Sequence, residues 1–204
     1  MIFSRQINLS ATFIFAFMKS KTVKVLAISG SINPGATAGR LLQAIERLAG
    51  PGFQFAIFES LGGIPHFNPQ QSDTITDKHV LHWRNLWKQA DAVIICTPEY
   101  AFGMPGVLKD ALDWLVGSGE VYHKPLAALS YSPSMMGGEN ALSTLLLTLK
   151  AQNADFDDST TSTIPAIRQR FSLEGEITDP TLSTLLTKVL ESLANKCEKK
   201  TDSH

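Results

Sequence analysis

Short runs of apolar residues alternate along this chain with longer amphipathic stretches, and this alternation limits the fold more than any other sequence feature. Each run is continuously apolar, which is typical of strands covered on both faces of a sheet. The stretches between them carry apolar residues at helical spacing, as at Leu41, Leu42, Ile45 and Leu48. The predicted strands are 23–28, 53–58, 92–97, 125–130 and 162–164, and the predicted helices are 37–48, 76–90, 105–115, 139–150 and a last one from Asp179-Pro180 that fades into a polar tail after about residue 196.

This order of elements predicts an α/β protein, with a doubly wound parallel sheet of five strands inside a three-layer αβα arrangement. No internal repeat and no long linker divides the 204 residues. We therefore expect one folded domain, 21–196, with residues 1–20 outside the fold and 197–204 as a polar tail. In such sheets ligands bind beyond the carboxyl ends of the strands, near the point where the strand order reverses.

Charge and cysteine content exclude several classes of protein. The formal net charge is -1, whereas a nucleic-acid surface needs concentrated positive charge. Cys96 and Cys197 are the only cysteines, too few for a disulfide-stapled domain or a four-cysteine zinc site. His79 and His82 lie on a predicted helix beside two tryptophans at helical spacing, which favours core packing over a metal site. We predict no metal site.

The N-terminal residues contain one apolar run, 11–17, behind Arg5. It is too short to cross a bilayer, which needs about 20 apolar residues, and no small-residue cleavage site follows it. Two interpretations remain. Met18 is the natural start and the preceding residues have no role in the fold, which we favour, or those residues are a floppy or partner-docking tail.

The loop after the first strand runs from Gly30 to Thr37 and opens a helix. It lacks the lysine of a Walker A loop and the second glycine of a dinucleotide fingerprint. Its hydroxyls and backbone amides suit the terminal phosphate of a mononucleotide, aided by the helix N-terminus. An ordinary strand-to-helix connection with Thr37 as the N-cap is equally compatible.

The loop after the third strand reads Thr97-Pro98-Glu99-Tyr100-Ala101-Phe102-Gly103-Met104-Pro105-Gly106 and continues as Val107-Leu108-Lys109-Asp110-Ala111-Leu112-Asp113-Trp114. It resembles the P-E-Y-N-x-x-x-P-G-x-L-K-N-A-L-D-W signature of the NADPH-dependent FMN reductase family. The Gly30 loop is similar to that family's G-S-x-R-x-x-S phosphate loop. Residues 64–69 resemble its L-P-x-Y-N-P segment, and 130–138 its third flavin loop, so the resemblance spans about residues 23–195.

The resemblance implies a flavodoxin-like fold and an FMN-dependent NAD(P)H oxidoreductase. Such an enzyme takes a hydride from NADPH or NADH onto bound FMN and reduces free flavin, a quinone or a similar small acceptor, with ping-pong kinetics. Since the cofactor does the chemistry, we nominate no catalytic residue. The resemblance also implies a homodimer or homotetramer. The two cysteines fit a reducing compartment, so we expect a cytoplasmic protein. We expect no nucleic-acid or membrane partner. The predicted cofactor-binding residues are Gly30, Ser31, Asn33, Thr37, Pro98, Glu99, Tyr100, Ala101, Ser130, Gly137 and Gly138.

Two departures from the family pattern bear on the cofactor. Asn33 stands where the family has an arginine, which removes a cation from the phosphate loop. Ala101 replaces the asparagine after the tyrosine, which removes a side-chain amide near the flavin. We therefore expect FMN to be held loosely. The same two positions favour the alternative function, a flavin-binding or redox-sensing protein without enzymatic activity.

Overall fold

The computed structural model describes residues 22–33, 37–71 and 76–202, with side chains to residue 200. The predicted N-terminal extension, residues 1–20, lies outside the described residues, as do residues 34–36 of the first loop.

The five described strands form one sheet in which every pairing is parallel. They are β1 (Val23–Ser29), β2 (Phe53–Phe58), β3 (Ala92–Pro98), β4 (Leu126–Tyr131) and β5 (Thr161–Ile164). Their order across the sheet is β2-β1-β3-β4-β5. This is the flavodoxin-like order. From β1 the chain first adds β2 on one side and then adds β3, β4 and β5 on the other, so the switch point lies between β1 and β3. The predicted fold is therefore confirmed.

Five helices cover the two faces of the sheet. They are α1 (Thr37–Ala49), α2 (Lys78–Gln89), α3 (Gly106–Asp113), α4 (Glu139–Ala151) and α5 (Pro180–Asp202). Buried residues of α1 and α5 pack on one face of the strands, and buried residues of α2, α3 and α4 pack on the other. Alternate residues of the central strands serve the two clusters, which explains why these strands are apolar without interruption. The result is the predicted three-layer arrangement.

Several helix boundaries differ from the sequence prediction by one or two residues, and α3 spans 106–113 instead of 105–115. The start of α2 and the end of α5 differ for identifiable reasons. α2 starts at Lys78 instead of residue 76, because the Asp77 side chain accepts hydrogen bonds from the His79 and Val80 amides, at 2.8 and 3.3 Å. α5 continues to Asp202, well past the residue at which the polar tail was expected to begin. Cys197 is 9% exposed and belongs to the core on the α1 side, so burial of that residue extends the helix.

The predicted core role of the two tryptophans is confirmed. Trp83 and Trp87 are fully buried and make an edge contact with ring centroids 5.6 Å apart. Both cysteines are free and buried. In the part of the chain that the structure describes, no group of histidine, cysteine and carboxylate side chains is placed to hold a metal ion. None of the described helices combines the length and hydropathy needed to cross a membrane.

Candidate functional site

The loops that follow β1 and β3 start side by side. The Gly30 amide donates a hydrogen bond to the Cys96 carbonyl oxygen at 2.8 Å. A Cβ atom on Gly30 would lie 2.8 Å from Thr97 Oγ1 and 3.0 Å from Thr97 Cα, so only glycine fits there without moving the neighbouring strand. The phosphate-type loop after β1 and the aromatic loop after β3 therefore begin next to each other at the carboxyl edge of the sheet.

The first loop is ordered by its own hydroxyl groups. Ser29 Oγ donates to the Ser31 carbonyl oxygen at 3.1 Å, and Ser31 Oγ accepts from the Asn33 amide at 3.3 Å. Ser31 is buried, Asn33 is exposed, and Thr37 is the half-buried first residue of α1. The Ser31 side chain thus shapes the loop, while the exposed Asn33 side chain is open to a ligand.

Tyr131 also reaches the first turn of α1, although its motif context gave no sign of this. The side chain is 5% exposed at the end of β4, and its phenol lies close to the Ala38 backbone. Burial, reinforced by the nearby Cys96 and Tyr100, raises the pKa of Tyr131 above its ordinary value, and the Ala38 backbone offsets this only in part. Tyr131 is therefore a neutral, buried phenol beneath the helix terminus.

Glu99 directs its carboxylate into the fold. Oε2 accepts hydrogen bonds from the Asn140 and Ala141 amides at 2.9 and 3.1 Å. These are free amides in the first turn of α4, where a negative charge also complements the helix dipole. The Glu99 carboxylate thus fixes the third-strand loop to α4.

A two-residue turn presents the aromatic side chains of the third-strand loop. The Tyr100 amide donates to the Gly103 carbonyl at 2.9 Å, and the Gly103 amide donates back to Tyr100 at 3.1 Å. Ala101 and Phe102 between them have φ values of 47° and 60°. Positive φ at both central residues is the type I′ geometry, which favours asparagine and glycine. Alanine at position 101 therefore strains the turn.

The loop after β4 closes against its own strand. Ser130 Oγ donates to the Gly137 carbonyl at 3.1 Å. Gly137 and Gly138 have φ values of 66° and 83°, and a Cβ on Gly138 would come 3.2 Å from both Ser130 Cβ and the Tyr131 carbonyl oxygen. Both positions need glycine so that α4 can begin directly beyond the strand end.

The segment after β2 is tied by hydrogen bonds to α3 and to the tryptophan that follows it. His66 Nδ1 and Asp110 Oδ2 are 2.5 Å apart, and the Phe67 amide donates to Asp110 Oδ1 at 3.4 Å. Trp114 Nε1 donates to the Pro65 carbonyl at 2.8 Å. Asp110 stands where the family signature has asparagine, so this pair distinguishes the chain from that pattern. The His66 side chain itself is 95% exposed.

Exposed apolar side chains surround the three loops. Ile32 lies on the first loop, Tyr100 and Phe102 on the second, and Met135 and Met136 on the third, all between 56% and 80% exposed. Gly106, at the start of α3, has no atom within 4 Å of its Cβ position, so the space above it is open. Apolar contact, open space and exposed loop backbone are what a flat heteroaromatic ring requires. The residues present therefore fit a flavin.

The family comparison decides the identity. A family model described as NADPH-dependent FMN reductase matches residues 23–156, about two thirds of the chain. This chain belongs to that family. The matched range includes all three loops, and it confirms the family resemblance of the sequence motifs. FMN and NAD(P)H are accordingly the cofactor and co-substrate of an oxidoreductase.

Curated relatives agree with the family assignment. An NAD(P)H-dependent FMN reductase of Pseudomonas aeruginosa is 30% identical over 176 residues, which cover 85% of this chain and 95% of that protein. An NADPH azoreductase of Bacillus sp. is 34% identical over 60% of this chain, and a quinone reductase of Escherichia coli is 28% identical over 58%. The last two matches span 66% and 65% of those relatives.

Among solved structures, the flavoenzyme FerB, an NAD(P)H:acceptor oxidoreductase from Paracoccus denitrificans, superposes with a TM-score of 0.74. The identity is 24%, over 87% of this chain and 98% of that one. This likeness supports the fold. The individual cofactor-binding residues named from the sequence stay predictions. In the structure these residues lie at the carboxyl ends of β1, β3 and β4 and in the segments that follow those strands.

Removing the Glu99 carboxylate should destabilise the protein. We expect Glu99→Ala to lower the free energy of unfolding by about 1 kcal/mol, because two amides of α4 lose their cap. Chemical denaturation followed by circular dichroism measures this. Glu139→Ala is the matched control, since Glu139 is an exposed residue in the same helical turn. Equal losses in the two variants would show that the cap contributes nothing.

The strained turn predicts an unusual gain from substitution. Ala101→Gly and Ala101→Asn should each raise the free energy of unfolding by about 0.5–1 kcal/mol, because both residues accept a positive φ more readily than alanine. If the family's amide contacts the flavin, only Ala101→Asn should also tighten FMN binding. Denaturation and flavin titration of the two variants separate these effects. A loss of stability in both would contradict the turn geometry.

We expect Tyr131 to contribute to the loss of folding stability at alkaline pH. Its raised pKa means that the folded state keeps the proton at a pH where the unfolded chain, with a tyrosine pKa of about 10, has released it. The contribution is fully present below pH 10 or so and is lost as the pH rises further. The free energy of unfolding should therefore fall less steeply above that pH in Tyr131→Phe than in the wild type. Parallel curves would contradict the assignment.

Proposed function

We propose that this family member reduces free flavin, a quinone or a similar small acceptor with electrons from NAD(P)H, through FMN bound at the loops after β1, β3 and β4. The observation that carries the proposal is the contact between Gly30 and Thr97, since it joins the phosphate-type loop to the aromatic loop. The exposed apolar side chains around the three loops support a site open to small planar acceptors.

The roles of the binding residues follow from their surroundings. Asn33, Thr37 and the amides at the start of α1 would hold the phosphate, with Ser31 fixing the loop around it. The backbone from Pro98 to Gly103 would face one edge of the ring, held in place by Glu99 through α4.

The chemistry needs little from side chains. Bound FMN supplies hydride acceptance from NAD(P)H and electron delivery to the acceptor. Tyr100 and Phe102 would cover one side of a bound flavin, and the exposed Met135 and Met136 would cover it from the loop after β4. We assign no side chain as an acid or base.

The non-enzymatic alternative rests on Asn33 and Ala101, which weaken two expected cofactor contacts. Its weight is reduced by the family relatives, which are named as FMN, quinone and azo-dye reductases. Weak cofactor retention is also compatible with an enzyme that exchanges flavin. We therefore favour the reductase.

We further propose a homodimer or homotetramer in the cytoplasm. Phe102 and Met135 are each about four-fifths exposed, and Leu147 and Val116 are also exposed, which favours burial in an interface. Two free, buried cysteines suit a reducing compartment. Light scattering on the purified protein measures its mass.

The test is steady-state NADPH and NADH oxidation by flavin-free protein supplied with FMN and a quinone. We expect FMN-dependent turnover, with parallel double-reciprocal lines when NADPH and quinone are varied. The absorption spectrum with FMN, before and after anaerobic NADPH, reports binding and reduction separately. Flavin binding without reduction would support the sensor, and the absence of any flavin binding would contradict both functions.

A further inference from the structure

A carboxylate lies beside the loop that we propose holds the FMN phosphate. Ile28 of β1 pairs with Phe58 of β2, so Glu59 leaves the sheet beside the end of β1. A Cβ atom on Gly39, the third residue of α1, would lie 2.5 Å from Glu59 Oε1. The Glu59 carboxylate therefore rests against the first turn of α1.

The segment after Glu59 forms a wall of the same loop. A Cβ on Gly62 would lie 3.5 Å from Ile32 Cγ2, so residues 59–63 pack beside the exposed end of the first loop. This proximity places the segment after β2, and with it Glu59, beside the proposed phosphate end of the site.

The described side chains near the first loop do not carry enough positive charge to neutralise a bound phosphate. Among the described residues, none forms a salt bridge with Glu59. Asn33 is neutral where the family signature carries an arginine. Arg40 is exposed on the same turn of α1, so Arg40 and Glu59 act on a bound phosphate in opposite directions.

A carboxylate near the start of a helix is itself stabilised by the free amides and the dipole there. A phosphate at the same terminus draws on the same positive potential. The carboxylate and the phosphate therefore both interact with the same positive potential at the helix N-terminus, and they also repel each other.

We propose that Glu59 opposes binding of the FMN phosphate and so sets how strongly the site prefers FMN over riboflavin. The inference rests on the proposed function, because it needs the phosphate to lie at the first loop. It goes further by naming the residue that keeps the flavin exchangeable. Asn33 removes an attraction, and Glu59 adds a repulsion.

The expected size of the effect follows from Coulomb's law. One residue of helix rises about 1.5 Å, so a phosphate at the first turn lies within about 10 Å of the carboxylate. At that distance, with partial solvent screening, removing one negative charge should tighten binding of a dianion about three- to tenfold.

The experiment compares Glu59→Gln with the wild type, using flavin-free protein. Fluorescence quenching titrations give the dissociation constants of FMN and of riboflavin, which lacks the phosphate. We expect Glu59→Gln to bind FMN about three- to tenfold more tightly at low salt, with riboflavin unchanged and with a smaller gain at about 0.5 M salt. Glu46→Gln is the matched control, an exposed carboxylate two turns further along α1, and should change neither constant.

Two results would overturn the inference and leave the proposed function standing. FMN affinity could be the same in Glu59→Gln and the wild type, in which case the carboxylate does not sense the phosphate. Both flavins could instead bind more weakly, in which case Glu59 holds the part they share. If neither flavin binds to any of the proteins, the cofactor site itself is wrong, and the inference falls with it.

Discussion

The close approach of Gly30 to Thr97 is the contact on which the site depends. It exists because β1 lies between β2 and β3, so that the chain leaves β1 beside the end of a strand that comes much later in the sequence. A side chain at position 30 would separate the two strand ends by its own bulk. The phosphate loop and the aromatic loop can therefore lie side by side because residue 30 has no side chain.

Polar side chains around this contact mostly stabilise the loops. Glu99 caps α4, Ser130 closes the last loop, and Ser31 orders the first. Each satisfies backbone groups that would otherwise be unpaired near a buried surface. What remains exposed is loop backbone and apolar side chain, which suits a cofactor that brings its own chemistry. The protein supplies position and electrostatics, and Glu59 is the residue whose charge works against tight binding.

Much of the fold could be predicted from the sequence, because continuous apolar runs identify buried parallel strands whatever surrounds them. The helix α5 was harder, since its last turns are rich in lysine. Leu186, Leu190, Leu193 and Cys197 keep helical spacing, however, and that signal predicts burial beyond residue 196. The cap at Asp77 was likewise readable, as an aspartate before an amphipathic stretch.

The site was only partly predictable. Motifs located the loops, since they report chain segments, but contacts between distant segments left no local pattern. Nothing in the sequence near Tyr131 points to Ala38, and nothing near Glu59 points to Gly39. Glu99 illustrates the same limit, because its place in a cofactor motif did not reveal that its carboxylate caps a helix. Such pairings arise from the packing of the sheet and are visible only in three dimensions.

The central claim is that the loops after β1, β3 and β4 form one flavin cradle, and amide chemical shifts during an FMN titration test it most directly. The account predicts that the amides of Gly30, Asn33, Tyr100 and Gly138 shift together with one saturation curve. Shifts confined to one loop, or centred on the opposite edge of the sheet, would contradict it.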